Sequence, residues 1–252
     1  MQRDDITELD VMLVIDTTDS MQFVIDALRS TVERFVSCLQ KAVPTTRVGI
    51  VTYRDFGEEY VTKVIDFTSS IEQLHDSLTD LSTFGGDDWP EAIHEALQAT
   101  IDEASWSTNS SRVIILVPGS PPHPETMGGV LSLALSFQSR GGVVSVMDLA
   151  EKMHADFEYA LWERTGKVRK VPFKSTPLPG FYRDMRNTMS EIARAGGGEA
   201  IEFRKSDKRN QLICESITSY VTRSNAKRGG STESPHVGPL YKRTPEGYQR
   251  VN

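Results

Sequence analysis

Residues 9–21 read Leu-Asp-Val-Met-Leu-Val-Ile-Asp16-Thr17-Thr18-Asp19-Ser20-Met21, an apolar strand running straight into an Asp-x-Thr-x-Ser turn. A long amphipathic pattern follows, so the turn joins a buried strand to a helix. One carboxylate and two hydroxyls, from Asp16, Thr18 and Ser20, therefore gather at the carboxyl end of a strand. Open parallel sheets bind their ligands at that place. Oxygen-only donors suit a small hard cation such as Mg²⁺, which dehydrates reluctantly and keeps several waters. The plainer reading of the same residues is helix capping, with Asp16 or Ser20 accepting free N–H groups of the first turn.

Two further stretches narrow the choice. Gly85-Gly86-Asp87-Asp88-Trp89-Pro90-Glu91-Ala92 and Val48-Gly-Ile-Val-Thr-Tyr-Arg-Asp55 follow in order along the chain. With the first turn, they resemble von Willebrand factor type A domains, whose metal-ion-dependent adhesion site usually opens Asp-x-Ser-x-Ser. The 85–92 stretch looks like the Gly-Gly-Gly-Asp-x-Pro-Glu-Ala loop of one branch of that family, with Asp87 in place of the third Gly. The resemblance spans roughly residues 8–222. It implies a doubly wound α/β fold and a site in which Asp16, Thr18, Ser20 and Asp88 hold Mg²⁺ or Mn²⁺. A partner protein's Asp or Glu would complete the coordination.

The third metal loop departs from the family pattern. It usually reads Thr-Asp-Gly or Thr-Asp-Ala, and here the matching stretch is Val117-Pro118-Gly119-Ser120-Pro121-Pro122-His123. Gly119 stands where the carboxylate belongs and Pro118 where the Thr belongs. Since that carboxylate acts on the ion largely through water, its loss implies weaker metal binding rather than none. Ser120 offers a further hydroxyl, and Gly119 is free to hold a positive φ that other residues resist.

Composition excludes several classes. The chain has 252 residues with 38% hydrophobic and 25% charged, enough for one sizeable α/β core. A net charge of -7 argues against a nucleic-acid-binding face over the whole domain. The start Met1-Gln-Arg-Asp-Asp-Ile has no apolar signal region and no segment reaches the ~20 apolar residues of a membrane span, so a cytoplasmic protein is expected. Cys38 and Cys214 are too few for a disulfide framework and read as small hydrophobes in helices.

Apolar runs alternate with helical patterns, the arrangement of a mostly parallel sheet wrapped by helices. Strands are expected near 9–15, 47–53, 59–67, 112–117, 142–148 and 199–203. The run 59–67 alternates polar and apolar residues close behind Gly57, which suits an antiparallel edge strand with one wet face. Helices are expected near 20–42, 70–80, 90–104, 125–139, 181–195 and 208–222, with Pro90 in a first turn and Gly196-Gly-Gly198 as a stop. Residues 150–180 form an insertion: a short helix, a basic loop from Arg164 to Lys174, and a Pro-rich return. The basic loop reads as a solvated face or as a docking patch for an acidic partner. From about residue 223 the chain turns rich in Gly, Ser and Pro, so 223–252 is expected to be a flexible basic tail. Residues 224–252 hold five basic and two acidic residues, a tail of +3 against -10 for the remainder.

Phosphate-cradling Gly-x-Gly-x-x-Gly and Gly-x-x-x-x-Gly-Lys motifs are missing, as are zinc-type His and Cys pairs. Ser20, His123 and Asp88 all map to loops at one end of the sheet, but no Gly-x-Ser-x-Gly elbow supports a hydrolase; turn capping is the simpler role for His123. The leading reading is a non-enzymatic binding scaffold, with Trp89 and Pro118–Pro124 rimming the loops 16–21, 85–90 and 118–124. The alternatives are a Mg²⁺-assisted phosphoryl or ester hydrolase and a metal-free scaffold.

Overall fold

The computed structural model describes residues 8–86, 90–168 and 170–203, together with the backbone of 240–244 and 247–251. The expected helix 208–222, Asp88, Trp89 and Cys214 lie outside the described residues.

Six strands form one sheet in the order β3-β2-β1-β4-β5-β6. These are β1 (Glu8–Asp16), β2 (Thr45–Tyr53), β3 (Thr62–Thr68), β4 (Ser111–Val117), β5 (Gly142–Asp148) and β6 (Gly197–Glu202). All pairings are parallel except β2 with β3, which is antiparallel and leaves β3 at the edge. The expected doubly wound, mostly parallel sheet with one antiparallel edge strand is therefore the observed one. The order reverses around β1, so the crevice at its carboxyl end is the switch point where such sheets bind ligands.

The helices are α1 (Gln22–Ala42), α2 (Ile71–Thr79), α3 (Ile93–Asp102), α4 (Met127–Ser139), α5 (Ala150–Thr165) and α6 (Gly180–Ala195). Period-two alternation assigns each strand residue to a face. Leu9, Val11, Leu13 and Ile15 of β1 pack with Val24, Val32 and Leu39 of α1 and Leu74 of α2. Met12 and Val14 pack on the other face with Leu97 of α3, Val130 of α4 and Met189 of α6. Because both faces are covered, β1 is buried from Leu9 onward and reads as a continuous apolar run rather than an alternating one. Truncating Ile15, fully buried, to Ala would cost about 2–5 kcal/mol.

The edge strand β3 starts at Thr62 rather than at 59, and two helix boundaries also differ from expectation. The third helix begins at Ile93 with Ala92 as its N-cap, not at Pro90. Glu91 is instead pulled into a parallel bridge with Pro122, its N–H donating to Pro121 O at 3.1 Å. Glu91 thus ties this segment to the loop after β4 instead of lying in the first turn of the helix. The insertion helix α5 runs to Thr165, longer than the short helix expected from its pattern. Cys38 is half-buried and packed against the core. The segments β7 (Leu240–Thr244) and β8 (Gly247–Val251) pair as an antiparallel hairpin; residues 223–239 of the expected tail are outside the described residues. Among the described residues no helix is long and apolar enough to cross a membrane.

Candidate functional site

Three loops are stitched together at the carboxyl end of the sheet by backbone hydrogen bonds. Thr17 N donates to Tyr53 O at 3.0 Å, extending the β1–β2 ladder past its last pair. Asp19 N donates to Gly85 O at 3.1 Å and Phe84 N to Thr17 O at 3.1 Å, which clamps the 84–86 loop over the first turn. With the Glu91–Pro121 bond, the loops 17–21, 84–86 and 119–122 share one edge. Gly86 has φ +84°, and a Cβ there would meet Thr18 Cβ at 2.6 Å. The second loop therefore needs glycine both for its backbone and for its approach to Thr18.

Asp16 is fully buried and accepts three hydrogen bonds. Its Oδ1 takes the Thr18 N–H at 2.8 Å and the Thr18 hydroxyl at 2.7 Å, and its Oδ2 takes the Gly119 N–H at 3.0 Å. No side chain caps α1 or the single 3-10 turn Asp19–Met21 before it, so the capping role considered for Asp16 and Ser20 is not the one they have. Burial pushes the Asp16 carboxyl up to about 6, opposed by the hydrogen bonds from Thr18 and Gly119 and by the Arg54 charge.

The expected ligands separate into three cases. Asp16 and Thr18 are brought into direct contact. Ser20 is exposed on the following turn. Asp88 is outside the described residues, and with it the test of the full quartet. Ser120 is buried, its hydroxyl donating to Pro121 O at 3.3 Å. Among the described residues no three His, Cys, Asp or Glu side chains converge to hold a metal. The expected positive φ at Gly119 is absent. What Gly119 supplies is room, because a Cβ there would lie 2.7 Å from Asp16 Oδ2 and 2.8 Å from Met21 Sδ.

Sequence reasoning missed a buried polar group around this turn. Tyr53, Arg54 and Glu91 are 0%, 1% and 2% exposed. Arg54 Nη2 donates to Ser82 O at 3.0 Å, its Nη1 lies 3.5 Å from Glu59, and its Nε has no hydrogen-bond partner among the described residues. The guanidinium lies over the Tyr60 ring at 4.5 Å and near Phe84 at 5.8 Å. The Tyr53 hydroxyl has no hydrogen-bond partner among the described residues, and burial together with the Asp16 and Glu91 charges pushes it well above its ordinary value. A charged residue directly after an apolar strand, as in Val51-Thr-Tyr-Arg54, was the available signal. His123 was expected to cap a turn, and its carbonyl does accept from Thr126 N. Its ring, however, bonds Asp55 Oδ1 through Nε2 at 2.7 Å and packs on Phe56.

A family profile described as von Willebrand factor A domain matches residues 10–205, and the chain belongs to that family. Among solved structures, BatB from Bacteroides thetaiotaomicron is 18% identical with a TM-score of 0.54, covering 84% of this chain and 98% of that one. The SpRpn10 VWA domain is 12% identical with a TM-score of 0.52, covering 84% and 96%. At such identities the likeness is one of fold. A protein of Acanthamoeba polyphaga mimivirus bearing the name "Putative ariadne-like RING finger protein" is 26% identical over 115 residues. That match covers 46% of this chain, which spans only 11% of the relative's length.

Proposed function

We propose that this domain is a non-enzymatic protein-interaction module that binds Mg²⁺ or Mn²⁺ weakly at its first loop and presents the ion to a partner's carboxylate. Membership of a family of interaction domains supports the general role. The observation that carries the metal reading is the Thr18–Asp16 hydrogen bond. Because the Thr18 hydroxyl gives its proton to Asp16, its oxygen keeps lone pairs for a cation. Asp16 spends three of its roughly four acceptor positions on protein donors, leaving one for a metal-bound water. Thr18 and Ser20 would then be direct ligands with Asp88, and Asp16 would act through water. An all-oxygen set with a buried carboxylate fits a hard divalent cation, which supplies a charged anchor for the partner's acid.

The metal-free scaffold is the second reading, favoured by the Gly119 amide, which already occupies one of the two acceptor positions of Asp16 Oδ2. Calorimetry of the full chain with Mn²⁺ separates the two. Heat at millimolar metal is expected, with binding weakened ~10-fold or more in Ser20→Ala. Ser20 is exposed, so its loss should leave the fold intact. No heat, or no effect of Ser20→Ala, would overturn the metal reading and leave the scaffold. Partner capture with and without chelator then tests whether recognition runs through the ion.

A further inference from the structure

The insertion between β5 and α6 is folded back on itself. Tyr159 and Trp162 of α5 cluster with Phe173, with ring centroids 5.5, 5.4 and 5.9 Å apart. Trp162 Nε1 donates to Val171 O at 2.6 Å, and Val171 N donates to Gly166 O at 2.9 Å. Further along, the Ser175 hydroxyl and the Thr176 N–H each donate to Glu158 at 2.8 Å. Residues 164–168 and 170–174 of the turn are thereby held against α5.

That turn carries five cations and no acid in a chain of net charge -7, leaving -12 for everything else. Arg164, Lys167, Lys170 and Lys174 are all exposed. Between them Val168 is 79% exposed and Val171 is 52% exposed. An aliphatic side chain held out at the tip of a pinned turn contributes little to this fold. Among the described residues the one ion pair made by the turn, Lys167 with Glu163 at 3.5 Å, is solvent-screened and does not use up the charge.

We propose that this turn docks on the surface of an anionic phospholipid bilayer. The lysines and Arg164 meet the headgroup phosphates and carboxylates, while Val168 and Val171 enter the boundary between headgroups and acyl chains. Long cationic side chains suit this, since their stems lie along apolar surface while their charges stay wet. Outside this turn and the +3 tail the chain carries -15, which the same surface repels, so the domain is oriented with the turn toward the bilayer. An acidic polypeptide would satisfy the cations but has no use for two valines standing proud of the turn.

Co-sedimentation of the full chain with vesicles of phosphatidylcholine alone, and of phosphatidylcholine mixed with phosphatidylserine, tests this. Binding is expected only to the mixed vesicles and is expected to fall as salt rises. Each neutralised lysine should weaken it ~5-fold, so Lys167→Gln with Lys170→Gln should lose roughly 25-fold. Val168→Ser should weaken binding at unchanged salt dependence. These three residues are exposed, and an unchanged melting curve verifies the fold of each variant. Failure to bind the mixed vesicles, or binding that none of the variants alters, would overturn the proposal. Capture by polyglutamate without vesicle binding would also overturn it, in favour of an acidic protein partner.

Discussion

The Gly119 amide donates to Asp16 Oδ2 at 3.0 Å, so the third loop is tied to the first through its backbone. Adding a Cβ at Gly119 would place it 2.7 Å from that same oxygen. Gly119→Ala is therefore expected to destabilise the domain by about 1–3 kcal/mol, the usual cost of overpacking a closed site. Gly119→Asp should cost more, because it also sets a second carboxyl against Asp16. Urea unfolding at matched protein concentration checks both, and an unchanged midpoint in Gly119→Ala would show that Met21 and Asp16 yield freely. Restoring the family's missing acid by this single change is thus not expected to rebuild a tight metal site.

Asp16→Ala removes the acceptor for two buried N–H groups and one hydroxyl. Leaving such donors unpaired costs about 1–3 kcal/mol each when water cannot reach them. A large loss of stability is expected, accompanied by loss of metal binding, so the two effects are entangled in this variant. Ser20→Ala is the cleaner probe, and its melting temperature should stay near that of the parent. A marked drop in Ser20→Ala would mean that the turn depends on this hydroxyl for its shape.

Much of the fold was legible because burial on both faces leaves a plain mark on a strand. Val113–Val117 and Val143–Met147 carry almost no polar residue, and the alternation around Thr62–Thr68 shows its wet face. The start of α3 was not legible. Pro90 is favourable in a first turn, but the long-range bond from Glu91 to Pro121 outweighs that local preference. Arg54 was hidden for a similar reason. Its burial depends on Tyr60, Ser82 and Phe84 arriving from two later loops, and the one local signal, a charge directly after an apolar strand, does not name those partners. The first turn itself was readable, because Asp16 and Thr18 are only two residues apart and meet without help from elsewhere.

Glu158 accepts from Thr176 through both its hydroxyl and its N–H, and from the Ser175 hydroxyl. These bonds hold its carboxyl down at about 2, from an ordinary value of 4.5. A depressed carboxylate contributes stability that is present above its unfolded value and is lost as pH falls through the folded one. The tie between α5 and the 175–176 return should therefore be intact above about pH 4.5 and should weaken between 4.5 and 2. A carboxyl-detected NMR titration gives the value directly. Glu158→Gln should abolish the dependence and raise hydrogen exchange at the Thr176 amide; an ordinary titration midpoint would show the carboxylate to be free in solution.

Asp10 is a buried acid with four donors around it. Arg47 reaches it through Nε at 2.9 Å and Nη2 at 2.8 Å, Ser107 N donates at 2.8 Å, and the Ser110 hydroxyl donates at 2.7 Å. The cluster ties β1, β2 and the loop before β4 together at the edge opposite the candidate site. Arg47→Ala would leave Asp10, 1% exposed, with neutral donors alone. Breaking a buried pair costs about 3–5 kcal/mol, and the partial exposure of Arg47 places this one near the lower figure. Chemical denaturation should show the loss with metal binding unaltered. A change in metal affinity would mean that the two ends of the sheet are coupled.

The bond between His123 Nε2 and Asp55 Oδ1, at 2.7 Å, bears on the hydrolase alternative. A Ser20–His123–Asp88 arrangement needs one ring nitrogen on Asp88 and the other on Ser20, whereas here Nε2 bonds Asp55 and Nδ1 lies 3.9 Å from Glu125. The ring also packs on Phe56, with centroids 5.6 Å apart, so it fastens the loop after β2 to the loop after β4. His123→Phe keeps the ring contact and removes the hydrogen bond, leaving Asp55 without its partner. A loss of about 1–2 kcal/mol is expected in urea unfolding. Background ester hydrolysis by the purified chain should be the same in parent and variant. A hydrolysis rate that falls with His123→Phe and also with Ser20→Ala would sink the structural role and revive the catalytic one.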